Sequence, residues 1–582
     1  MINGYILGIS CGYHDSAAAL IKDGKVLGAC EEERFTGIKH DSSFPINTIN
    51  WLVEEFEITP NDLKAVCFYE NPELKLDRIE TSTKKGGWKN FFNRLKIISR
   101  NKKVYKDTIS QLETLRGNET QLIYCDHHLS HLAYSYYTSP FIESALLSVD
   151  GVGEWETTSL AFGQLKASDD IKKIGSVKFP HSLGMLYSTF TAFLGFKPNE
   201  GEYKVMGLAP YGDASKYINK FKQLYTITND GGFEFNMDYF TYEWSTNTMF
   251  NEKLSELFEL PNRLPEDTLE QAHKDIAASL QQIYEFLFFR LLDALYKQTN
   301  SENLCLSGGC AYNGTANGKI LKRTKFKNLY IPPAPSDAGS SIGCALHYAY
   351  STTGNKVDNS NPYLGPTFTT DDVINALKLY DKDVWFERKL YEQITNLVAD
   401  EIVDGNVIGW VEGRMEFGAR ALGNRSILAN PRDPQMKSRL NRVIKKREGF
   451  RPFAPMVSEQ SSSIYFDYED RVPYMNQVVK VRKEHATYLP AITHVDDSAR
   501  IQTVNRKQHR RMYQLLERLR EINEYPMVIN TSFNLKDQTM VLTPIDAIKT
   551  FLNCEMDTLI PVSYTHLRAH ETPEHLVCRL LL

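Results

Sequence analysis

Alternating apolar and polar stretches at the start of the chain predict a small β-meander. The run "YILGISCGYHDSAAALIKDGKVLGACEEERF" (5–35) holds three apolar strands, separated by a polar turn and by "KDGK". Asp-Gly between two apolar runs is a strong signal for a β-hairpin. The stretch "ALLSVDGVGEWETTSLAFGQLK" (145–166) repeats the order of strand, acidic glycine-rich turn and strand. The pattern therefore predicts a duplicated strand unit.

Helical periodicity follows each copy, in "PINTINWLVEEFEI" (45–58) and in "LGMLYSTFTAFLGF" (183–196). A duplicated unit of hairpin and helix resembles actin-like ATPases and sugar kinases, in which two such halves face each other across a nucleotide cleft. We therefore expect an α/β fold whose N-terminal domain, residues 1–355, is actin-like (a duplicated ribonuclease-H-like fold of the ASKHA type).

A polar stretch rich in Asn, Gly and Pro, residues 356–366, predicts a linker. Beyond it, "TTDDVINALKLY" and "YEQITNLVADEIVDG" have the periodicity of amphipathic helices, and the strand "VIGWV" follows. We predict a second α/β domain over residues 367–560. The final stretch "PVSYTHLRAHETPEHLVCRLLL", residues 561–582, resembles the translation of a sequencing-library adapter, and we expect it to be an artefact.

Composition excludes several function classes. The chain has 582 residues, 42% hydrophobic and 24% charged, with a formal net charge of −5. That balance gives no general attraction to nucleic acid or to an anionic membrane, and we expect neither as a partner. Nine cysteines without a CxxC pair, and no secretion signal at the start, favour a cytoplasmic protein. The basic stretch 82–107 predicts a solvated helical insertion rather than a nucleic-acid patch.

Metal-capable side chains are concentrated in "DHHLSHLAYSYYTSPFIESALLSVDG" (126–151). In a helix, His127 and His131 share one face, while His128 points elsewhere. Asp150 at the end of the next strand would complete a set of two histidines and one carboxylate, which favours a catalytic Fe(II) or a similar ion. Asp337 in "PPAPSDAGSSIG" is a further candidate. The alternative is that these are ordinary polar residues at a helix start.

Two further groups of residues indicate anion binding. The turn at Gly308 and Gly309 in "LCLSGGCAYNGTANGKI" could direct backbone N–H groups at a nucleotide phosphate. In the second domain, guanidinium groups in a glycine- and alanine-rich setting suit a small polyanion, because they bind phosphate bidentately. The cations considered are Arg414, Arg420, Arg425, Lys445, Lys446, Arg447, Arg451 and Arg500, and Ser532 and Asn534 add neutral donors.

The motifs together resemble the O-carbamoyltransferases of the NodU, TobZ and CmcH type. The matching stretches include "GISCGYHDSAAAL", "EEERFTGIKHDSSFP", "HHLSHLAYSYYTSPF", "GEYKVMGLAPYG", "GARALGNRSILANPRD", "REGFRPFAP" and "NTSFN". This resemblance implies that the second domain is YrdC-like and forms carbamoyl-adenylate from carbamoyl phosphate and ATP. The carbamoyl group would then pass, in the first domain, to a hydroxyl of a small molecule. Mg²⁺ is expected with the ATP, and a homodimer is expected from the relatives.

The resemblance also assigns residues. It implies an Fe(II) site, or a site for another divalent metal, at His127, His131, Asp150 and Asp337. It implies an acceptor site at His14, a candidate general base, and Lys39, which would balance charge on the carbamoyl oxygen. The residues that it implies for carbamoyl phosphate and the adenylate are Arg420, Lys445, Arg451, Arg500 and Ser532.

Two other functions remain open on the sequence. A stand-alone actin-like ATPase or sugar kinase would explain the first domain, but it would leave the arginine-rich second domain without a role. A metal-dependent binding or regulatory protein derived from an enzyme is the other alternative. The sequence does not identify the acceptor.

Overall fold

The computed structural model describes residues 4–87, 91–165, 170–561 and 566–569. The chain divides into two compact units. The N-terminal unit comprises residues 1–29 and 42–360, and the C-terminal unit comprises residues 30–41 and 361–582. The short segment 30–41 therefore makes its contacts in the C-terminal unit, although it lies inside the predicted first domain.

The N-terminal unit contains two five-stranded sheets of the same design. Its strands are β1 (Tyr5–Ser10), β2 (Ala17–Lys22), β3 (Lys25–Glu31), β4 (Leu63–Phe68), β5 (Gln121–Tyr124), β6 (Glu143–Val149), β7 (Glu156–Gln164), β8 (Ile171–Lys178), β9 (Tyr225–Ile227), β10 (Phe233–Phe235), β11 (Asn303–Ser307) and β12 (Asn328–Tyr330). The sheet orders are β3-β2-β1-β4-β5 and β8-β7-β6-β11-β12, and β9 and β10 form a separate hairpin.

Each sheet starts with a three-stranded meander and continues with two strands parallel to its first strand. β1 pairs antiparallel with β2 and parallel with β4, while β6 pairs antiparallel with β7 and parallel with β11. This repeated order confirms the predicted duplication and the actin-like α/β class. The predicted strands of both copies are also present.

The main helices of this unit cover the sheets. Its helices are α2 (Ile46–Glu55), α3 (Pro72–Ser82), α4 (Phe91–Thr114), α5 (His127–Thr138), α6 (Leu183–Phe193), α7 (Glu202–Leu208), α8 (Ile218–Phe221), α9 (Glu252–Phe258), α10 (Gln271–Thr299), α11 (Gly314–Asn317), α12 (Ile320–Arg323) and α13 (Asp337–Thr353), whereas α1 (Glu33–Thr36) lies in the segment 30–41 and belongs to the C-terminal unit. α13 packs on β1 and β2, α5 packs on β6 and β11, and the two helices pack on each other. The contact between α5 and α13 therefore joins the two halves of the duplication.

The C-terminal unit is built on one mixed nine-stranded sheet, in the order β13-β21-β20-β14-β15-β19-β16-β18-β17. Its strands are β13 (Val384–Glu387), β14 (Ile408–Val411), β15 (Arg425–Ala429), β16 (Ala454–Ser458), β17 (Gln477–Lys480), β18 (Ser498–Val504), β19 (Met527–Ser532), β20 (Thr558–Pro561) and β21 (His566–Ala569). Its helices are α14 (Thr370–Lys378), α15 (Tyr391–Val403), α16 (Met436–Arg439), α17 (Ser462–Tyr465), α18 (Lys483–Ala486), α19 (Arg510–Asn523) and α20 (Pro544–Leu552).

Helices α15 and α19 cover one face of this sheet. Their apolar residues form a buried cluster with Trp410, Leu428, Met456 and Val528 from the central strands. The predicted helices at 369–380 and 391–405 and the strand at 407–411 are confirmed as α14, α15 and β14. Strand β21 falls within the predicted adapter stretch, but residues 562–565 and 570–582 lie outside the described residues, so that assignment stays a prediction.

In the described part of the chain, no helix is both long and apolar enough to cross a lipid bilayer.

Candidate active site

Four metal-capable side chains meet where two helices begin and one strand ends. His127 and His131 lie on the first turns of α5, Asp337 is the first residue of α13, and Asp150 follows β6 directly. Close packing brings the two helix starts together, because a Cβ at Gly343 of α13 would lie 1.9 Å from the carbonyl oxygen of Ser130. All four side chains are buried.

Their ligand atoms converge on one point and lie within 4.8 Å of one another. The Nε2 atom of His127 is 3.0 Å from Oδ2 of Asp150 and 3.7 Å from Oδ1 of Asp337. The Nε2 atom of His131 is 3.6 Å and 3.5 Å from the same two oxygens. The two Nε2 atoms are 3.1 Å apart.

This arrangement fits a single divalent cation. Two nitrogen ligands that bind one ion at about 2.1 Å and at a right angle lie about 3 Å apart. Oδ1 of Asp337 is buried without a hydrogen-bond partner among the described residues, although it is directed at both imidazoles. Two imidazoles with two carboxylates suit Fe(II) or a related transition metal.

Neighbouring groups hold these side chains in place. Ser340 Oγ lies 3.0 Å from Nδ1 of His131, and the backbone N–H of Gly309 donates to Oδ1 of Asp150 at 2.9 Å. Glu154 is buried, and its Oε1 accepts the backbone N–H of His127 at 3.0 Å and that of Asn71 at 2.7 Å. Glu154 and Ser340 were not predicted as site residues, and the only signal in the sequence was the glutamate that ends "VDGVGE" (149–154).

The electrostatics of the cluster follow from its burial and its two carboxylates. Burial lowers the pKa of His127, but Asp337 and Asp150 outweigh it and raise that pKa to about 9. Burial raises the pKa of Asp150, but its hydrogen bonds with His127 and His131 hold it well below its usual range. Burial and His127 lower the pKa of His128 well below its usual range, so His128 is neutral. The anionic carboxylates therefore favour positive charge at the imidazoles, which protons or a bound metal cation can supply.

His14 belongs to the same unit. Burial lowers its pKa, but the charge of Asp337 and a 3.0 Å contact with the Asp15 carboxylate raise that pKa to about 9. A histidine with this pKa is protonated at neutral pH. The predicted role of general base therefore requires the charge of Asp337 to be neutralised, which a bound divalent cation would do.

The predicted phosphate turn has a different role in the structure. The N–H of Gly308 donates to the carbonyl of Pro335 at 2.8 Å, and the N–H of Gly309 donates to Asp150. The φ of 86° at Gly308 favours glycine, and a Cβ there would lie 2.3 Å from the carbonyl oxygen of Val149. Both amides are used inside the unit, so this turn positions Asp150, and a contact of these glycines with nucleotide stays a prediction.

A second group of predicted residues meets in the C-terminal unit around Lys445, whose side chain is buried. Its Nζ donates to Oδ1 of Asn534 at 2.7 Å, to the carbonyl of Asn534 at 2.9 Å and to the carbonyl of Ser532. The hydroxyl of Ser532 donates to Oδ1 of Asn534 at 2.8 Å. Lys445, Ser532 and Asn534 therefore form one hydrogen-bonded group at the end of β19.

Cations surround this group. Burial, followed by Arg447 and Arg451, lowers the pKa of Lys445 well below its usual range, and Lys39 acts in the same direction. Burial, Arg420, Arg447 and Arg451 likewise lower the pKa of Arg500. The structure thus brings together five of the predicted cations, Arg420, Lys445, Arg447, Arg451 and Arg500. Mutual repulsion on this scale favours an anionic ligand.

Lys39 lies in the segment 30–41 of the C-terminal unit, whereas His14 lies in the N-terminal unit. The charge of Lys39 contributes to the lowered pKa of Lys445 in that unit. The shared acceptor site of His14 and Lys39 stays a prediction.

Two arginines of the predicted polyanion site serve the fold instead. Arg425 is fully buried and donates to the carbonyls of Glu412, Gly413 and Pro366. Arg414 donates to the carbonyls of Leu364 and Gly365. Their guanidinium groups satisfy turn carbonyls that would otherwise be buried without donors, so the prediction that both bind a polyanion was wrong.

Comparison with known proteins gives both units the same assignment. The family model described as "Carbamoyltransferase N-terminus" matches residues 5–346, and the one described as "Carbamoyltransferase C-terminus" matches residues 399–566. The first covers more than half of the chain and includes the four-residue cluster. The second includes the cationic group around Lys445.

Several relatives match over nearly the whole chain. The protein sll1178 of Synechocystis sp. is 42% identical and covers 96% of this chain and 95% of its own length. The nodulation protein NolNO of Sinorhizobium fredii is 34% identical, over 96% of this chain and 80% of that protein. The 3'-hydroxymethylcephem-O-carbamoyltransferase of Amycolatopsis lactamdurans is 26% identical, over 93% of this chain and 95% of that protein. The chain belongs to the carbamoyltransferase family.

Proposed function

We propose that this carbamoyltransferase is an ATP-dependent O-carbamoyltransferase that works in two half-reactions. In the first, water would cleave carbamoyl phosphate to carbamate and inorganic phosphate. A carbamate oxygen would then bond to the α-phosphorus of ATP and displace pyrophosphate, which leaves carbamoyl-adenylate. The second would transfer the carbamoyl group to a hydroxyl of a small molecule and release AMP. The observation that carries the proposal is the group of four arginines and a buried lysine in the C-terminal unit, which suits two phosphorylated substrates.

In the first half-reaction, Arg420, Arg451 and Arg500 would neutralise phosphate charge and align the carbamate with the α-phosphorus of ATP. Lys445 is held by Ser532 and Asn534, so its ammonium is already oriented before substrate binds. A cation that is already oriented costs little reorganisation free energy when negative charge develops in the transition state. Mg²⁺ would accompany the ATP.

In the second half-reaction, His127, His131, Asp150 and Asp337 would hold Fe(II) or another divalent metal. Such an ion acts as a Lewis acid that polarises a bound carbonyl or lowers the pKa of a bound hydroxyl. His14 would accept the hydroxyl proton of the acceptor once the charge of Asp337 is neutralised. Lys39 would balance charge on the carbamoyl oxygen.

The acceptor class, the location and the assembly also belong to this proposal. A relative named as a cephem O-carbamoyltransferase supports a natural product as acceptor. The free cysteines of the described residues, seven of eight buried, are compatible with the reducing cytoplasm. A homodimer stays a prediction.

Pyrophosphate release from ATP, measured with and without carbamoyl phosphate, tests the first half-reaction. We expect release to require carbamoyl phosphate and to fall about 100-fold or more in Arg451→Ala, because a phosphate donor is lost. Arg442→Ala is the matched control, since Arg442 is exposed on the neighbouring helical turn. ATP hydrolysis to phosphate that ignores carbamoyl phosphate would instead support a stand-alone ATPase or kinase.

A further inference from the structure

The basic insertion found in the sequence has no role in the proposed chemistry. The insertion, residues 82–107, starts at the last residue of α3, includes a 3-10 turn over Thr83–Gly86 and forms most of the 24-residue helix α4. At roughly 1.5 Å per residue, α4 is about 36 Å long. Ile97 and Leu112 bury one side of α4, and Lys102 pairs with Glu80 of α3 at 2.7 Å. The opposite side of α4 is exposed.

That exposed side carries a row of cations. Lys96, Arg100, Lys103 and Lys106 are spaced by three or four residues, which places them along one side of a helix. All four are exposed, and none forms an ion pair within residues 4–87, 91–165 and 170–561. Lys102, which does find a carboxylate, lies at the edge of the row. The row is therefore positive despite the net negative charge of the chain.

Large apolar side chains continue the same face at its N-terminal end. Phe92 is 84% exposed and Leu95 is 48% exposed. Position 92 is on the same line as positions 96, 99, 103 and 106. A phenyl ring with this exposure on a helix of a soluble unit costs free energy unless something covers it.

We propose that the exposed face of α4 docks on an anionic phospholipid surface. Lys96, Arg100, Lys103 and Lys106 would lie against the headgroups, and Phe92 and Leu95 would insert at one end. Basic helices with a few aromatic or aliphatic side chains bind at the headgroup boundary through these two attractions together. The docking would be peripheral, with no part of the helix crossing the bilayer.

The distribution of side chains favours lipid over other anionic partners. A single-stranded nucleic acid would use aromatic rings interleaved with the cations for base stacking, but the exposed rings of α4 stand at one end. A protein interface would have an apolar centre with a polar rim, whereas the two most exposed apolar side chains of α4, Phe92 and Leu95, stand near its start. This proposal departs from the expectation of no membrane partner, which rested on the charge of the whole chain.

Co-sedimentation of the full chain with vesicles tests the proposal. We expect binding to vesicles of phosphatidylcholine with phosphatidylglycerol, weak binding to phosphatidylcholine alone, and release as salt rises from about 0.1 M to about 1 M. Replacing the four cations by Gln should weaken binding by about 600-fold, at roughly fivefold per cation. Phe92→Ser with Leu95→Ser should weaken it by about tenfold.

Matched variants on other surfaces should bind like the wild type. The cation control replaces four exposed lysines elsewhere, Lys216, Lys382, Lys507 and Lys536, by Gln. The apolar control is Ile142→Ser, whose side chain is 71% exposed. Equal loss of binding in the controls would overturn the proposal, as would equal binding to both vesicle types. Tighter binding to an RNA oligonucleotide than to vesicles, insensitive to Phe92→Ser, would also overturn it in favour of nucleic acid.

Discussion

Glu154 shows how one buried carboxylate can organise a site that it does not enter. It accepts the backbone N–H of His127, the first residue of α5, and the backbone N–H of Asn71, the residue that caps α3. Because the N–H groups of a first helical turn have no partner inside the helix, they need an external acceptor. Glu154 supplies it and fixes where the ligand-bearing helix begins.

We predict that Glu154→Ala weakens Fe(II) binding by about 10- to 100-fold, because the start of α5 and both histidines lose their anchor. Glu154→Gln keeps one acceptor oxygen, so its Fe(II) affinity should fall less than that of Glu154→Ala. Titration with Fe(II) against a competing chelator measures both. Glu156→Gln, on the adjoining strand β7, is the control, and an Ala variant with wild-type affinity would contradict the assigned role.

At the scale of residues, the sequence predicted those features of the site that depend only on the spacing of neighbouring residues. The i, i+4 spacing of His127 and His131 requires only a helix, and the helix is present. Whether an arginine binds a ligand or a carbonyl depends on where its side chain points, which distant segments decide. Arg414 and Arg425 bond carbonyls about fifty residues or more away along the chain, so their local glycine-rich setting was misleading.

At the scale of elements, the contact between α5 and α13 positions the whole cluster. Gly339 and Gly343 of α13 face Tyr134 and Ser130 of α5 at distances that leave no room for a Cβ. Small residues at such a crossing let two helix backbones approach closely. The glycines of "SDAGSSIG" therefore serve helix packing, and through it the distance from Asp337 to both histidines.

Gly343→Ala should lower the free energy of unfolding by about 3 kcal/mol and weaken metal binding, because the new methyl group would push α13 from α5. Urea unfolding and metal content measure the two effects. Gly449→Ala, where a Cβ would meet no atom within 4 Å, is the control. Unchanged stability in Gly343→Ala would contradict this account.

Helix α19 begins with a histidine that must remain neutral. Nδ1 of His509 accepts the N–H of Met512 at 3.3 Å, so Nε2 carries the proton that faces Oδ1 of Asn424 at 2.7 Å. Burial and then Arg511 lower the pKa of His509 from 6.5 to about 4. Between these values the unfolded chain binds the proton and the folded chain does not.

The contribution of His509 to stability is therefore complete above about pH 6.5 and is lost as the pH falls towards 4. At pH 5 the loss is about 2 kcal/mol relative to pH 7. The variant His509→Asn keeps a capping oxygen but has no titratable group at this position. Its free energy of unfolding should therefore fall between pH 7 and pH 5 by about 2 kcal/mol less than that of the wild type. Urea unfolding at both pH values checks this, and an identical fall in the variant would exclude His509 as the cause.

The sequence predicted elements with strong periodicity well, but it did not predict which strands pair with each other. The apolar spacing of 46–55 and 391–403 identifies α2 and α15 because burial on one face is encoded locally. The order of the nine-stranded sheet was not predicted, because strands distant in sequence, such as β14 and β20, are neighbours in it.

At the scale of the whole molecule, the cationic group and the four-residue cluster lie in different units. If the two half-reactions are divided between them, single substitutions should separate them. Asp337→Asn should lose metal and carbamoyl transfer but keep pyrophosphate release that depends on carbamoyl phosphate. Arg451→Ala should keep its metal and lose pyrophosphate release.

Metal analysis and pyrophosphate release on the same preparations measure the two effects. Loss of both properties in either variant would contradict a division of labour.

The segment 30–41 could not be assigned from the sequence, because it continues directly from β3. In the C-terminal unit, Oε1 of Glu31 accepts the N–H of Gly418 at 2.7 Å, and Arg34 donates to the carbonyl of Gly418 at 3.1 Å. Phe35 packs on the buried cluster that contains Met415 and Leu542. These contacts join residues that are close in space and far apart in the chain.

The placement of residues 30–41 in the C-terminal unit has a consequence for folding during synthesis. Residues 30–41 leave the ribosome on the order of tens of seconds before Gly418 does, at ordinary rates of synthesis. During that interval Phe35 and the buried ion pair of Arg34 and Glu31 have no partners from the C-terminal unit. A nascent chain must therefore keep this segment accessible until late in translation.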